Sequence, residues 1–212
     1  MKQFDIIGLL QRELAKSRIH ASVARKLIQK LKYLDEKQKE DALRTMIYNV
    51  ELLYPIFGTV LISIGKIYSD VSDHVKEEIQ STLRQMIRDD HYIMSLDVNI
   101  AYAIRILALQ YSPENETALN DIFKNTNSIM IRRDIILIMA KWEQFYWLSD
   151  LRNRFRTLRA AERRAFLIAS YRLTDEGRHW RDHTKAEFSP FEVCTRHWAK
   201  DRVNQHQWNI PI

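Results

Sequence analysis

Residues 131–140 have the sequence IRRDIILIMA, in which apolar side chains recur at the three- and four-residue spacing of an α-helix. Two similar apolar segments, IAYAIRILA at 100–108 and RRAFLIASY at 163–171, begin about 31 residues earlier and later. Each segment is followed by a second helical pattern. One hairpin of helices cannot bury both of its apolar faces, so neighbouring hairpins stack and share them. The spacing therefore predicts a repeat of helix pairs, with a non-repetitive helical bundle as the alternative.

The rest of the chain also shows helical periodicity, and no segment has the alternating pattern of a β-strand. Only four glycines and four prolines occur in 212 residues, which favours helices joined by short loops over a turn-rich β fold. Asp35 and Ser112 are predicted helix caps, and Pro113 follows Ser112 where a first helical turn accepts proline. The segment IFGTVLISIG at 56–65 is apolar on nearly all sides and is predicted to be the most buried helix of the first half.

These patterns predict an all-α fold of stacked antiparallel helix pairs, a HEAT-like α–α superhelix of about ten to twelve helices. The repeat spacing is confined to the second half of the chain. We therefore expect an N-terminal helical segment at 1–95 and HEAT-like helical repeats at 96–212, the latter carrying the basic residues described below.

Composition restricts the class of protein. A single cysteine, Cys194, excludes an internal disulfide framework. The longest apolar run is too short to span a bilayer, and charges at Asp5, Arg12 and Glu13 interrupt the N-terminal run, unlike a signal peptide. A soluble, cytoplasmic protein without a membrane partner is therefore expected. The chain also lacks a glycine-rich phosphate loop and a Gly-x-Ser-x-Gly motif, the usual marks of nucleotide hydrolases and serine hydrolases.

The net charge of +6 is unevenly distributed. Residues 151–185 contain ten Lys and Arg against four Asp and Glu, so this segment alone accounts for a charge of +6. A localised positive field favours a polyanionic partner, most often nucleic acid. The predicted phosphate-binding residues are Arg152, Arg156, Arg159, Arg163, Arg164, Arg178 and Arg181. The first four are spaced by three or four residues, so they share a face if the loop near Leu158 preserves helical register.

The C-terminal part of the chain also contains residue patterns of two other kinds of site, a ribonuclease site and a metal site. RHWRDH at 178–183 is an Arg-x4-His pattern that resembles the signature of HEPN-type ribonucleases, in which Arg178 would hold the scissile phosphate and His183 would act as general acid or base. Asp175, His179 and His183 have a helical spacing that zinc sites use, with Cys194 and His197 nearby. The surrounding arginines oppose a dication, so no metal site and no resident cofactor are expected.

Aromatic residues and one charged pair have two interpretations each. All five tryptophans lie between Trp142 and Trp208, and they either lock helix hairpins together or stack nucleic-acid bases, the packing role being favoured. Arg133 and Asp134 interrupt an apolar helix, as an internal ion pair between repeats or as a rim that faces nucleic acid.

Several of these segments together resemble a known family. They are FDIIGLLQRELAKSRIH at 4–20, IRRDIILIMAKW at 131–142, YWLSDLRNRF at 146–155, the stretch ERRAFLIASYRLTDEGRHWRDH at 162–183, and SPFEVCTRHWA at 189–199. They are similar to the C-terminal α-helical, HEAT-like repeat domain of bacterial reverse transcriptases of the defence-associated and abortive-infection-like groups. The resemblance covers nearly the whole chain, and its more specific part lies between Arg132 and Ala199.

The resemblance implies antiviral defence, synthesis of DNA by a neighbouring RNA-directed DNA polymerase domain, and a nucleic-acid-handling role for this chain. The polymerase signature, an aromatic residue followed shortly by two aspartates that bind Mg²⁺, does not occur here. The expected function is therefore a non-catalytic nucleic-acid-binding scaffold that grips template RNA or product DNA, with the polymerase domain in cis or in trans as partner and Mg²⁺ bound only there. Homo-oligomers are compatible with this interpretation. The alternatives are the HEPN-like ribonuclease and a protein–protein scaffold.

Overall fold

The computed structural model describes residues 5–16 and 20–173. Within those ranges the chain forms ten α-helices and five short 3-10 turns and contains no β-strand, which confirms the predicted all-α class. The helices are α1 (Ile6–Leu14), α2 (Ala21–Gln29), α3 (Glu36–Tyr48), α4 (Phe57–Ile67), α5 (Asp73–Arg88), α6 (Asp97–Leu107), α7 (Pro113–Asn125), α8 (Ile129–Lys141), α9 (Phe145–Asn153) and α10 (Ala160–Leu173).

The helix starts follow local chemistry. The side chain of Asp35 accepts a hydrogen bond from the backbone N–H of Gln38 at 2.9 Å, and the Gln38 side chain accepts from the Asp35 backbone N–H, so α3 begins with a complete capping box. The hydroxyl of Ser112 accepts from the backbone N–H of Asn115 at 3.1 Å, and Pro113 occupies the first turn of α7. Both predicted caps are confirmed.

The chain divides into two compact units between Gln110 and Tyr111. In the first unit α4 is the central helix and packs against α2, α3 and α6. Phe57, Leu61, Ile64 and Ile67 of this helix are almost completely buried, as the all-round apolar sequence predicts. Helix α6 belongs to this unit because it packs on α4 and α5. The domain boundary predicted after residue 95 stays a prediction.

In the second unit α8 packs against α7, α9 and, most extensively, α10. Ile131, Ile135, Ile138 and Met139 of α8 are fully buried. Helices α8 and α10 carry two of the three apolar segments spaced by about 31 residues, and they are neighbours, as stacked helix pairs require. The HEAT-like superhelix itself stays a prediction.

Candidate nucleic-acid interface

The predicted phosphate-binding arginines lie on a broken stretch of backbone. Helix α9 ends at Asn153, a 3-10 turn occupies Phe155–Thr157, Leu158 has an extended backbone with ψ of 145°, and α10 begins at Ala160. Because the helical conformation is lost at Leu158, a spacing of three or four residues does not align these side chains. The prediction that Arg152, Arg156, Arg159 and Arg163 share a face required helical register through Leu158, and that condition is not met.

The exposure of these arginines differs. Arg156 lies in the 3-10 turn, is exposed, and makes no ion pair with any acidic residue of the described chain. Arg159 is also exposed, and its guanidinium donates a hydrogen bond of 2.8 Å to the backbone carbonyl of Asn127. Arg152, Arg163 and Arg164 are half-buried. Among the five arginines of the predicted set that the structure describes, the most exposed therefore lie at the turn between α9 and α10.

Arg154 was part of the same basic segment, but it is partly neutralised. Its guanidinium is ion-paired with Asp150 one helical turn earlier in α9, and both side chains are at least half exposed. Exposed ion pairs of this kind are weak and are screened by salt, so a phosphate group can compete with Asp150 for Arg154.

The acidic residue of the segment points inward. Glu162 is only 2% exposed, and its carboxylate is ion-paired with the guanidinium of Arg132 on α8. Its other oxygen accepts a hydrogen bond of 2.7 Å from the backbone N–H of Arg159, the residue before α10. Glu162 therefore links α8 to the start of α10 and does not screen the exposed arginines.

The positive charge of the basic segment is concentrated in its first 23 residues. Residues 151–173 contain seven Arg and one acid, Glu162, whereas residues 174–185 contain three basic and three acidic residues. The whole net charge of +6 at 151–185 thus falls within 151–173, and its single carboxylate is buried against Arg132. The exposed arginines beside the α9–α10 turn that no carboxylate of the described residues pairs with are Arg156 and Arg159.

Arg132 is held from three sides. Besides Glu162, its guanidinium donates to the backbone carbonyl of Phe123, and its central carbon lies 3.9 Å from the centroid of the Phe123 ring. Phe123 in turn makes an edge-to-face contact with Trp147 at 4.8 Å between ring centroids. An arginine in such a setting stabilises the packing of helices and is not available to a phosphate.

The charged pair that the sequence singled out is a local one. Arg133 donates to the carboxylate of Asp134, its neighbour in α8, from Nε at 3.0 Å and from Nη2 at 2.6 Å. The ion pair that joins α8 to α10 is Arg132–Glu162, which sequence reasoning missed. A signal was present, because the two residues are separated by 30 positions, close to the 31-residue spacing of the apolar segments.

The tryptophans of the described chain have packing roles, as favoured. Trp147 is 7% exposed, and its indole N–H donates to the side-chain oxygen of Asn120. Trp142 makes an edge contact with Tyr111 at 5.5 Å between ring centroids. The other three tryptophans lie outside the described residues.

A tyrosine pair surrounds Glu116 on α7. The hydroxyl of Tyr111 donates to the Glu116 carboxylate at 2.9 Å, and the hydroxyl of Tyr146 donates to its other oxygen. The hydrogen bond to Glu116 raises the pKa of Tyr111, and desolvation with the same carboxylate raises the pKa of Tyr146. Both tyrosines stay neutral donors at physiological pH, and Glu116 is engaged within its own unit.

The remaining predicted residues lie outside the described part of the chain. They are Arg178, Arg181 and His183 of the phosphate-binding and ribonuclease interpretations, and Asp175, His179, Cys194 and His197 of the metal interpretation. Residues 5–16 and 20–173 contain no group of three or more His, Cys, Asp or Glu that could hold a metal ion. None of the helices in these ranges combines the length and apolar character needed to cross a bilayer.

No protein-family model, curated protein or solved structure matches this chain.

Proposed function

We propose that this chain is a non-catalytic helical module that binds nucleic acid through the arginines around the α9–α10 turn. The observation that carries the proposal is the charge of +6 in residues 151–173, whose single acidic residue is buried against Arg132. Exposed Arg156 and Arg159 are therefore not screened by a carboxylate of their own segment. A surface of this kind attracts phosphate groups of a polyanion.

The mechanism is electrostatic. Each arginine that pairs with a phosphate releases condensed counterions, so affinity falls steeply as salt is added. Arginine forms bidentate hydrogen bonds to phosphate oxygens, which positions the backbone of the nucleic acid without discriminating bases. Binding should therefore depend strongly on salt and weakly on sequence. The half-buried Arg152, Arg163 and Arg164 would add to the field more than to direct contacts.

The test is fluorescence anisotropy with labelled single-stranded RNA, single-stranded DNA and duplex DNA over a salt series. Arg156→Glu should weaken binding of every probe about tenfold at low salt and reduce the slope of log K against log salt by about 1. Arg88→Glu is the matched control, because Arg88 is an exposed arginine of α5 in the first unit and the variant has the same net charge.

Three outcomes contradict the proposal. They are no binding at low salt, an affinity that does not change with salt, and equal losses of affinity in Arg156→Glu and Arg88→Glu. The same samples, held in EDTA and run on a gel, separate binding from cleavage. RNA cleavage that His183→Ala abolishes would support the ribonuclease interpretation instead.

The association with a reverse transcriptase belongs to the same proposal. It is supported by the resemblance of residues 131–199 to the helical domain of defence-associated reverse transcriptases. A cytoplasmic location and an antiviral role are part of the proposal. A reading frame with an aromatic-x-Asp-Asp motif is expected next to this sequence in the genome, or in the same gene. The polymerase domain should co-purify with this chain, and binding that persists after nuclease treatment would support the protein–protein scaffold. A genomic neighbourhood without a polymerase would remove this part of the proposal and leave the nucleic-acid surface in place.

A further inference from the structure

A second basic site lies in the first unit, away in sequence from the arginines of α9 and α10. A groove of about 480 Å³ is formed by the end of α2, the 3-10 turn Leu31–Tyr33 and the end of α4. Its floor is apolar, since Ile28, Leu31 and Ile67 line it and are almost fully buried. Small-molecule sites commonly have volumes of about 300–1,000 Å³, so the groove fits a ligand of nucleotide size.

The rim of this groove is cationic. Four lysines line it and no acidic residue does; they are Lys26, Lys30, Lys32 and Lys66. Within the described chain no acidic side chain pairs with Lys26, Lys32 or Lys66. The closest acid after α4 in sequence, Asp70, is ion-paired with Lys39 at 2.6 Å. The positive charge of the groove is therefore not compensated by its own lining.

The helix dipole accounts for part of this pattern only. Lysines are favoured in the last turn of a helix, as at Lys26 in α2 and Lys66 in α4. The dipole gives no reason for four lysines to surround one concave space with an apolar floor. Like charges around a cavity repel each other, and an anionic ligand removes that repulsion.

An aromatic side chain adds a second recognition element. Tyr33 lines the groove and is 75% exposed, unusual for a ring next to a buried apolar floor. The ammonium of Lys32 lies 4.8 Å from the centroid of the Tyr33 ring. A lysine ammonium thus lies over one face of a largely exposed aromatic ring. A lysine can pair with a phosphate and an exposed ring can stack a base, and a nucleotide carries both groups.

We propose that this lysine groove binds the phosphate groups of a nucleotide, with the base on Tyr33. Lys26, Lys30, Lys32 and Lys66 would neutralise the phosphates by charge-assisted hydrogen bonds. The phosphate-bearing group comes either from a free nucleoside triphosphate or from the backbone of a short nucleic acid. The groove shares no residue with the arginines around the α9–α10 turn and lies in the other unit.

The experiment is titration calorimetry of the full chain with ATP, inorganic triphosphate, adenosine and a short oligonucleotide. ATP should bind, inorganic triphosphate more weakly, and adenosine least, since the phosphates provide most of the attraction. The double variant Lys32→Gln/Lys66→Gln should weaken ATP binding by about tenfold or more. Lys37→Gln/Arg88→Gln is the matched control, since both residues are exposed, lie outside the groove lining and remove the same charge.

Tyr33 separates base recognition from charge. Tyr33→Ala should weaken ATP but not inorganic triphosphate, and Tyr33→Phe should bind ATP like the unmodified chain because it keeps the ring. If the oligonucleotide binds and ATP does not, and Lys32→Gln/Lys66→Gln weakens it, the phosphate source is a nucleic-acid backbone. Two results overturn the proposal. One is that neither ATP nor the oligonucleotide binds, and the other is that both bind the groove variant and its control equally well. Arg156→Glu should leave ATP binding unchanged, so failure here and failure of the α9–α10 surface are distinguishable.

Discussion

The carboxylate of Glu162 on α10 is ion-paired with the guanidinium of Arg132 on α8, and Glu162 is only 2% exposed. The pair joins the two helices that carry consecutive apolar segments. Glu162 also holds the start of α10, because the same carboxylate accepts a hydrogen bond from the backbone N–H of Arg159. A buried ion pair of this kind is strongly destabilising to break, since one charge is left without its partner in a poorly solvated place.

Glu162→Gln should therefore lower the free energy of unfolding by about 3 kcal/mol. The amide has the same size, but it removes the charge that compensates Arg132. Urea denaturation followed by circular dichroism measures the change. Asp150→Asn is the control, because its partner Arg154 is half exposed and the loss should stay below about 1 kcal/mol.

The double variant Arg132→Gln/Glu162→Gln tests whether the two residues act as a pair. It should cost less than the sum of the two single variants, because the second change removes a charge that has already lost its partner. Additive costs would mean that the ion pair does not hold α8 and α10 together, and the account of Glu162 as an internal residue would be wrong.

Two helices end at residues with an unfavourable backbone. Asp90 after α5 and Glu143 after α8 have positive φ angles of 47° and 58°. In each case the following N–H donates to a carbonyl in the last turn of the helix, His91 to Met86 and Gln144 to Met139, both at 3.0 Å. This is the Schellman arrangement, in which glycine is the preferred residue.

Glu143→Gly should raise the free energy of unfolding by about 0.5–1 kcal/mol, because it removes the steric cost of the left-handed conformation. Asp90→Gly should give a smaller gain, since aspartate tolerates this conformation better than glutamate. Gln85→Gly, an exposed position inside α5, is the control and should lower stability by about 1 kcal/mol. Thermal melting of the three variants measures these changes. A lower melting temperature of Glu143→Gly would contradict the positive φ angle at Glu143.

Acid stability depends on a carboxylate of α1. Glu13 is 3% exposed and is held by the ammonium of Lys16, by the backbone N–H of His20 at 2.6 Å and by the His20 ring at 3.1 Å. The hydrogen bond from Lys16, followed by that from the His20 backbone, lowers the pKa of Glu13 from 4.5 to about 2.

The sign of the pH effect follows from that shift. Because the pKa of Glu13 is lower in the folded chain, its contribution to stability is fully present above 4.5 and is lost as pH falls toward about 2. Glu13→Gln should therefore flatten the pH dependence of the urea midpoint between these values. The other carboxylates with lowered pKa, among them Asp70 and Glu78, still contribute the remaining slope. Identical slopes in the two proteins would exclude Glu13 as a source.

The sequence predicted the helices and their starts better than it predicted the arrangement of the arginines around the α9–α10 turn. Helix starts such as Asp35 and Ser112 use neighbouring residues, so local patterns suffice. The turn between α9 and α10 has no glycine or proline, and the helical spacing of its arginines runs through it uninterrupted. The pairing of Arg132 with Glu162 depends on which helices become neighbours, and their separation of 30 positions indicates it only where the helix-pair repeat is taken as the fold. For the same reason the groove lysines of α2 and α4 do not stand out in the sequence, since they are brought together only by packing.

The boundary between the two units can be tested by truncation. Ala103, Ile104 and Leu107 of α6 are fully buried, and α6 packs on α4 and α5. Asn99 is also buried and donates to the backbone carbonyl of Ile93 at 2.7 Å. Residues 1–95 lack α6 and leave the apolar surface of α4 exposed, whereas residues 1–110 retain it.

The fragment 1–110 should therefore unfold cooperatively in urea, and the fragment 1–95 should not. Each large apolar side chain that loses its burial costs about 1.5–3 kcal/mol, so the loss of the α6 packing exceeds the stability of a small domain. Circular dichroism and a denaturation curve of each fragment give the result. Cooperative unfolding of 1–95 would support the boundary predicted from the sequence and would mean that α6 belongs with the repeats that follow it.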